Sequence, residues 1–367
     1  MIGNNDKITK GQNAGLIIGS VFGVGILSLP SDLAKDFGSD GIMMLIIGSV
    51  LTILLVMIHT KLTLKFTGKT VVEIMDALIP KPIGVLFSII FILFYIFSAA
   101  SVVRISSEIV KMFLLQNTPL EVIIITMLIS NVYIARKGIE TIARLVQIIF
   151  PLAIIPFFIL LLAIVPDLDF TNIYPIFQVG PMDIAKGIKV VMFSFIGTEI
   201  ILISTAYLND TKKVLRYNIL SVVFLAVIYI TIFIVVLTQF GRIQTMDLLW
   251  PTLFLMKTVD VPGTFLENVD GVVIGLWTFL TLQSLAIILM QGSVILSKSL
   301  KLKETNFMSM PLLPIIYILA LVPENIAAAY EYIGLFSNYF GTAIAIVIPI
   351  LLFSISLFKK KKGANKA

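Results

Sequence analysis

Gly19-Ser20-Val21-Phe22-Gly23-Val24-Gly25-Ile26-Leu27-Ser28-Leu29-Pro30 is the stretch on which the fold turns. It lies inside an apolar segment, residues 12–33, and a bilayer core takes roughly 20 such residues per helical crossing. Gly23 and Gly25, two apart near its middle, let the backbone leave helical geometry at small steric cost. Opened backbone in hydrocarbon has no water to bond, so it persists only where it lines a cavity. A break here exposes N–H groups at the start of the outer half, around Gly25 and Ile26. Those donors and the local dipole favour an anion such as a carboxylate. Taken alone, the same small residues also suit close packing between helices.

A second stretch matches the first. Val191-Met192-Phe193-Ser194-Phe195-Ile196-Gly197-Thr198-Glu199 sets Gly197 within another apolar segment, residues 184–206, with the acid Glu199 beside it. An intramembrane carboxylate costs at least about 2.5 kcal/mol on insertion scales, so Glu199 is a functional candidate by default. Carbonyls freed near Ser194, Phe195 and Ile196 form the negative end of a half-helix, suited to an ammonium group. A helix start for a carboxylate opposite a helix end for an ammonium describes a zwitterion site. Two such interruptions favour that reading over packing.

Composition supplies the setting. The 367 residues are 58% hydrophobic and only 13% charged, with a mean hydropathy of +1.06. Soluble proteins run to about 45–50% apolar and about 25% charged, so most of this surface must face lipid. Apolar segments lie near 12–33, 41–60, 84–113, 119–135, 142–165, 184–206, 217–240, 271–297, 311–329 and 334–358. The expectation is an all-α polytopic membrane protein of ten transmembrane helices forming a single domain over residues 1–367. Ten helices divide as five plus five, about 12–165 and about 184–358, and an odd-numbered half must be inverted relative to the other. Inverted repeats place substrate at mid-bilayer, on discontinuous helices at corresponding positions. The first and sixth segments are the two that carry the breaks.

Lysine and arginine orient the chain. With the N-terminus in the cytoplasm, inner loops hold Lys7 and Lys10, Lys61 to Lys81, Arg136, Lys137 and Arg144, Lys212 to Arg216, Lys298 to Lys303, and a basic tail at 359–362 and 366. Outside fall only Lys35, Lys111, Lys186, Lys189, Arg242 and Lys257. Both termini are expected to be cytoplasmic, with the first segment retained as a helix rather than cleaved. A pI of 9.3 therefore reflects membrane orientation, not a nucleic-acid partner. The chain has no cysteine and one histidine, His59, so thiol chemistry and a histidine metal cluster are excluded, and no cofactor is implied.

Two loops exceed a turn. Residues 70–79 alternate charged and apolar positions at helical spacing and read as a helix along the cytoplasmic interface. In 241–270, Trp250-Pro251-Thr252-Leu253-Phe254-Leu255-Met256 reads either as an outer helix over the entrance or as a lipid-surface anchor. Within segment three, Arg104 and Glu108 stand i, i+4 and can form a structural ion pair. Tyr95, Ser98 and Ser101 form a stripe that lines a cavity or joins helices by hydrogen bonds. His59 reads as a solvated interfacial residue, and Asn131 and Gln147 as packing partners.

Gly23-Val24-Gly25-Ile26 together with Phe193-Ser194-Phe195-Ile196-Gly197-Thr198-Glu199 resembles the amino acid–polyamine–organocation permease superfamily. There a G-x-G-I break in helix 1 and an F-[AS]-[FY]-x-G-x-E-like break in helix 6 surround the amino acid. At this length, with ten segments, the chain is similar to the endospore germination permeases, the B subunits of GerA-type germinant receptors. The opening Lys7-Ile8-Thr9-Lys10-Gly11-Gln12, the charged interfacial helix and the basic tail fit that subfamily. The resemblance implies a LeuT-like fold, an A subunit and a C-subunit lipoprotein as partners, and the spore inner membrane as location. Its motifs map ligand contacts to Gly23, Val24, Gly25, Ile26, Phe195, Ile196, Gly197 and Thr198, with Tyr95 and Ser98 from segment three.

In sodium-coupled relatives, hydroxyls of helix 8 join helix-1 carbonyls around a cation; here Thr281 and Ser284 are the candidates, with Glu199 as a proton-coupling candidate. One departure stands out. Some proton-coupled members carry a lysine in helix 5, whereas the middle of segment five here is Ile149-Phe150-Pro151-Leu152. The functions in contention are a germinant sensor, a secondary amino acid transporter and a structural subunit. An intramembrane enzyme is disfavoured because Glu199 has no acidic partner at its depth.

Overall fold

The computed structural model describes residues 6–258 and 269–358. The basic tail at 359–362 and 366, and residues 259–268 of the 241–270 loop, lie outside the described residues.

Helix α1 (Lys10–Val21) opens on a capping box: Gln12 N donates to Thr9 Oγ1 at 3.2 Å, and Thr9 N to Gln12 Oε1 at 2.9 Å. It stops at Val21, and α2 (Gly25–Phe37) starts after the turn at Phe22, Gly23 and Val24. Pro30 inside α2 has no N–H to give the Ile26 carbonyl. A 3-10 turn, Gly38–Asp40, leads into α3 (Gly41–Lys65). There follow α4 (Val71–Leu78), α5 (Lys81–Phe113), α6 (Leu120–Ala135) and α7 (Ile139–Ile164).

After α8 (Pro181–Ser194) the chain bends by 54° through Gly197 into short 3-10 turns around α9 (Ile201–Ser204). Then come α10 (Val214–Asp247), kinked at Gly241 with φ of 68°, and α11 (Pro251–Lys257). The chain ends with α12 (Val269–Ser299), α13 (Ser309–Leu321), α14 (Ile326–Phe336), two π-helical turns over Ser337–Gly341 and Ala343–Val347, and α15 (Ile348–Phe358).

Six helical stretches among the described residues are long and apolar enough to cross a membrane, or seven when the bent α8 pair is one crossing; α6 and the 306–321 segment are shorter apolar helices. The apolar outer faces suit a bilayer: Ile148, Leu152, Ile155, Ile159 and Leu162 of α7 are all exposed. The protein is a membrane protein. α1 and α2 stand at its centre, α1 against α7, α10 and α12, and α2 against α8, α10 and α11. Around them α5 lies along α12, and α3 along α10. A clasp pins the N-terminal segment. Ile8 N donates to the Tyr207 carbonyl at 2.9 Å, Asn209 N to the Ile8 carbonyl at 3.0 Å, and Lys10 pairs with Asp210 at 3.1 Å.

Several expectations change. The ninth helix ends at Leu321 and the next starts at Ile326, not at 329 and 334, because Asn325 caps α14 by accepting from Ala328 N. His59 is not interfacial. It is fully buried on α3, with Nε2 2.9 Å from the Ala345 carbonyl in the π-helical segment.

The 70–79 segment forms α4, with Thr70 N donating to Glu73 at 2.8 Å and Lys298 pairing with Glu73 at 2.9 Å. Trp250 to Met256 is a packed element rather than a lipid-surface anchor. In α11 Thr252, Leu253, Leu255 and Met256 are buried, and Thr252 Oγ1 donates to the Ile26 carbonyl at 2.9 Å. That is the carbonyl Pro30 leaves without an intrahelical donor.

Candidate functional site

The ends of α1 and α8 meet. Ser20 Oγ donates to the Gly197 carbonyl at 2.8 Å, and Tyr229 Oη donates to the Ser194 carbonyl at 3.1 Å and reaches the Val21 carbonyl at 3.4 Å. One phenol on α10 thus clasps the carbonyl ends of both helices. Tyr229 is 1% exposed and its ring packs on Phe195. Gly197 sits at φ of 117°, and a Cβ there would come 2.7 Å from the Ser20 carbonyl oxygen. Glycine is required on both counts, backbone conformation and close approach. Glu199, 1% exposed, turns back to accept from Gly197 N at 2.7 Å. Its carboxylate therefore stabilises the interruption directly.

Beside this junction lies a cavity of about 140 Å³. Gly23, Val24 and Gly25 form one wall, Ile196, Gly197 and Glu199 another, and Tyr95 and Ser98 of α5 face Ser284 of α12. Ser101 lines it as well. Tyr95 is held by donating to Gln291 Oε1 at 3.1 Å. Phe97 and Phe336 stack at 3.6 Å between ring centroids on its border. The N-terminal amides of α2 are the groups a helix start leaves without intrahelical acceptors, and the carbonyl ends of α1 and α8 are the complementary negative poles.

Not every sequence candidate reaches the cavity. Ile26 is carried to the opposite side of α2, where with Phe22 it packs beneath α11. Phe195 packs on Tyr229, and Thr198 lines a separate chamber behind the 54° bend. Thr281 Oγ1 donates to the Thr278 carbonyl at 2.9 Å and is absent from the cavity lining, whereas Ser284 Oγ would touch a Cβ on Gly23 at 3.1 Å. Arg104 and Glu108 pair at 3.0 Å, and Arg104 Nη1 also donates to the Ala320 carbonyl at 3.1 Å, tying α5 to α13. Asn131 is buried and donates to the Met127 carbonyl, while Gln147 is exposed and accepts from Gln12.

Sequence reasoning missed Tyr229, Gln291 and the Phe97–Phe336 stack. For Tyr229 a signal existed: a hydroxyl deep in an apolar helix must find an acceptor. Gln291 and the stack depend on how α12 and α14 rotate against α5, which linear spacing does not reveal.

Comparison with known proteins agrees with this architecture. Residues 7–329 match the family described as spore germination protein. Spore germination protein YndE of Bacillus subtilis (strain 168) is 30% identical over 362 residues, covering 98% of this chain and 99% of the relative. Spore germination protein B2 of the same organism is 27% identical over 365 residues, 98% of each chain. Among solved structures, MhsT in complex with L-phenylalanine superposes with a TM-score of 0.68 at 12% identity, covering 95% of this chain and 97% of that one. A sodium-coupled sialic acid symporter gives 0.67 at 13% identity, over 96% and 79%. The structural likeness shows a LeuT-like fold, and the match over residues 7–329 together with the 30% identical full-length relative shows that the chain belongs to the spore germination permease family.

Proposed function

We propose that this chain is the B subunit of a GerA-type germinant receptor and binds a small amino-acid-like germinant in the cavity between its two interrupted helices. On this reading the receptor sits in the spore inner membrane with both termini cytoplasmic, alongside an A subunit and a C-subunit lipoprotein. Ten crossings arise when α1 with α2 forms the first and α8 through α9 the sixth. The packing of α3 along α10 and α5 along α12 supports a five-plus-five inverted repeat, since these are equivalent elements of the two halves.

The observation that carries the proposal is the shared cavity: Gly23–Gly25 and Ile196–Gly197, far apart in sequence, form facing walls of one chamber. The ligand carboxylate meets the first amides of α2. Its ammonium meets the carbonyl poles of α1 and α8, and its side chain meets Phe94, Phe193 and Ile288. Binding favours one arrangement of the half-helices over another. The purified protein should therefore be raised in melting temperature by particular free L-amino acids. Their carboxamides and decarboxylated amines should lose most of that effect; equal shifts from all three forms would contradict the site.

A transporter reading is favoured by the likeness to MhsT and to a sodium-coupled symporter over nearly the whole chain. Uptake into proteoliposomes separates the two. Saturable, gradient-driven accumulation of an amino acid by this subunit alone would select transport over sensing.

A further inference from the structure

We propose that the chamber behind the bend in α8 is a binding site for one single-chain anionic amphiphile, an alkyl carboxylate entering from the bilayer. The chamber is separate from the central cavity and holds about 290 Å³, just below the roughly 300–1,000 Å³ typical of ligand pockets. Leu55, Met192 and Ile346 supply apolar walls, and Thr52, Thr342 and Ala345 line it too. Its mouth, at Ala185 and Lys189, is on the outer surface of the helix bundle.

Lys189 decides the ligand class. It is the ninth residue of α8, roughly 12 Å along the helix at 1.5 Å per residue. Its ammonium lies 5.7 Å from the Phe193 ring centroid, and none of the ion pairs among the described residues includes it. An exposed cation on a helix that crosses a membrane is costly in hydrocarbon unless it reaches the interface or an anion meets it. A carboxylate at Lys189 supplies that charge, and its chain follows the apolar walls inward. Gly341 also lines it, and a Cβ there would fall 2.7 Å from Ile196 Cδ1. Phe193 and Ile196 line both this chamber and the central cavity, so occupant and germinant would share a wall.

The test uses the full-length protein in phosphatidylcholine nanodiscs and a photoreactive fatty acid carrying a diazirine near its methyl end. Labelling should map to the 192–198 and 341–346 segments. Lys189→Leu should weaken it about tenfold, as expected for loss of a hydrogen bond to a charged group. Ala185→Trp, at an exposed position, should block the mouth and abolish labelling while leaving the melting temperature unchanged. The methyl ester of the probe should label wild type as weakly as the acid labels Lys189→Leu. Equal labelling by acid and ester would overturn the proposal and leave only a crevice filled by bulk lipid. Competition by phosphatidylglycerol as effective as that by free fatty acid would overturn it too, assigning the mouth to a phospholipid headgroup. Since the readout is the labelled peptide, failure here is distinct from failure to bind an amino acid.

Discussion

At Gly197 two constraints coincide. Its φ of 117° and the 2.7 Å approach to the Ser20 carbonyl both penalise a Cβ. A non-glycine residue in left-handed geometry costs about 1–2 kcal/mol before any clash, so Gly197→Ala should lower the melting temperature measurably in detergent. Gly25 behaves differently, since a Cβ there meets nothing within 4 Å. Gly25→Ala should fold normally, and Gly25→Val should place methyl groups in the ligand space.

Tyr229→Phe removes the hydroxyl shared by Ser194 and Val21. Leaving buried carbonyls unpaired costs about 1–3 kcal/mol, and thermal denaturation should show that loss with helical content intact. Of these residues, the glycines and Glu199 were legible in the sequence because a glycine pair or an acid is anomalous inside an apolar run. What Glu199 does was not. Its bond to Gly197 N follows from the local turn, and turn geometry is not encoded in composition.

Among the elements, α11 shows how a proline on one helix recruits a partner from another. Pro30 frees the Ile26 carbonyl, and Thr252 donates to it at 2.9 Å. Thr252→Val should loosen α11 and speed hydrogen exchange over 251–257. In a Pro30→Ala background the backbone N–H gained at position 30 can serve Ile26 instead, so the same change should have little effect. Equal effects in both backgrounds would show that the bond has no part in docking α11. The sequence marked this helix correctly but left open whether it covers the protein or lies on lipid, since an aromatic followed by apolar residues suits both.

On the opposite side, α4 is tied to α12 through Glu73 and Lys298. Partial burial works to raise the Glu73 carboxyl, but the Thr70 N–H and Lys298 outweigh it and hold the pKa below 4.5. A depressed carboxylate stabilises the fold above its unfolded pKa, and that contribution is lost as pH falls through the folded one. Glu73→Gln should thus cost under about 1 kcal/mol at pH 7, given its exposure. The gap to wild type should close below about pH 4.5.

Across the whole molecule, the composition and the two interrupted segments anticipated a helical membrane protein with a central cavity, because glycine breaks in hydrocarbon demand one; the LeuT-like architecture was implied by the family resemblance. Boundaries were less legible. In the last two helices, Pro323, Glu324 and Asn325 interrupt an otherwise continuous apolar run, and only the cap at Asn325 shows where the chain turns. His59 illustrates the same limit: its place near a helix end suggested water, whereas the π-helical turn opposite supplies a buried acceptor.

The account rests on a zwitterion lying between α2 and the α8 bend, and radioligand binding to the purified subunit tests it most directly. A free amino acid that stabilises wild type should bind saturably, and Gly25→Val should abolish binding while keeping the wild-type melting temperature. Undiminished binding by a well-folded Gly25→Val protein would contradict it.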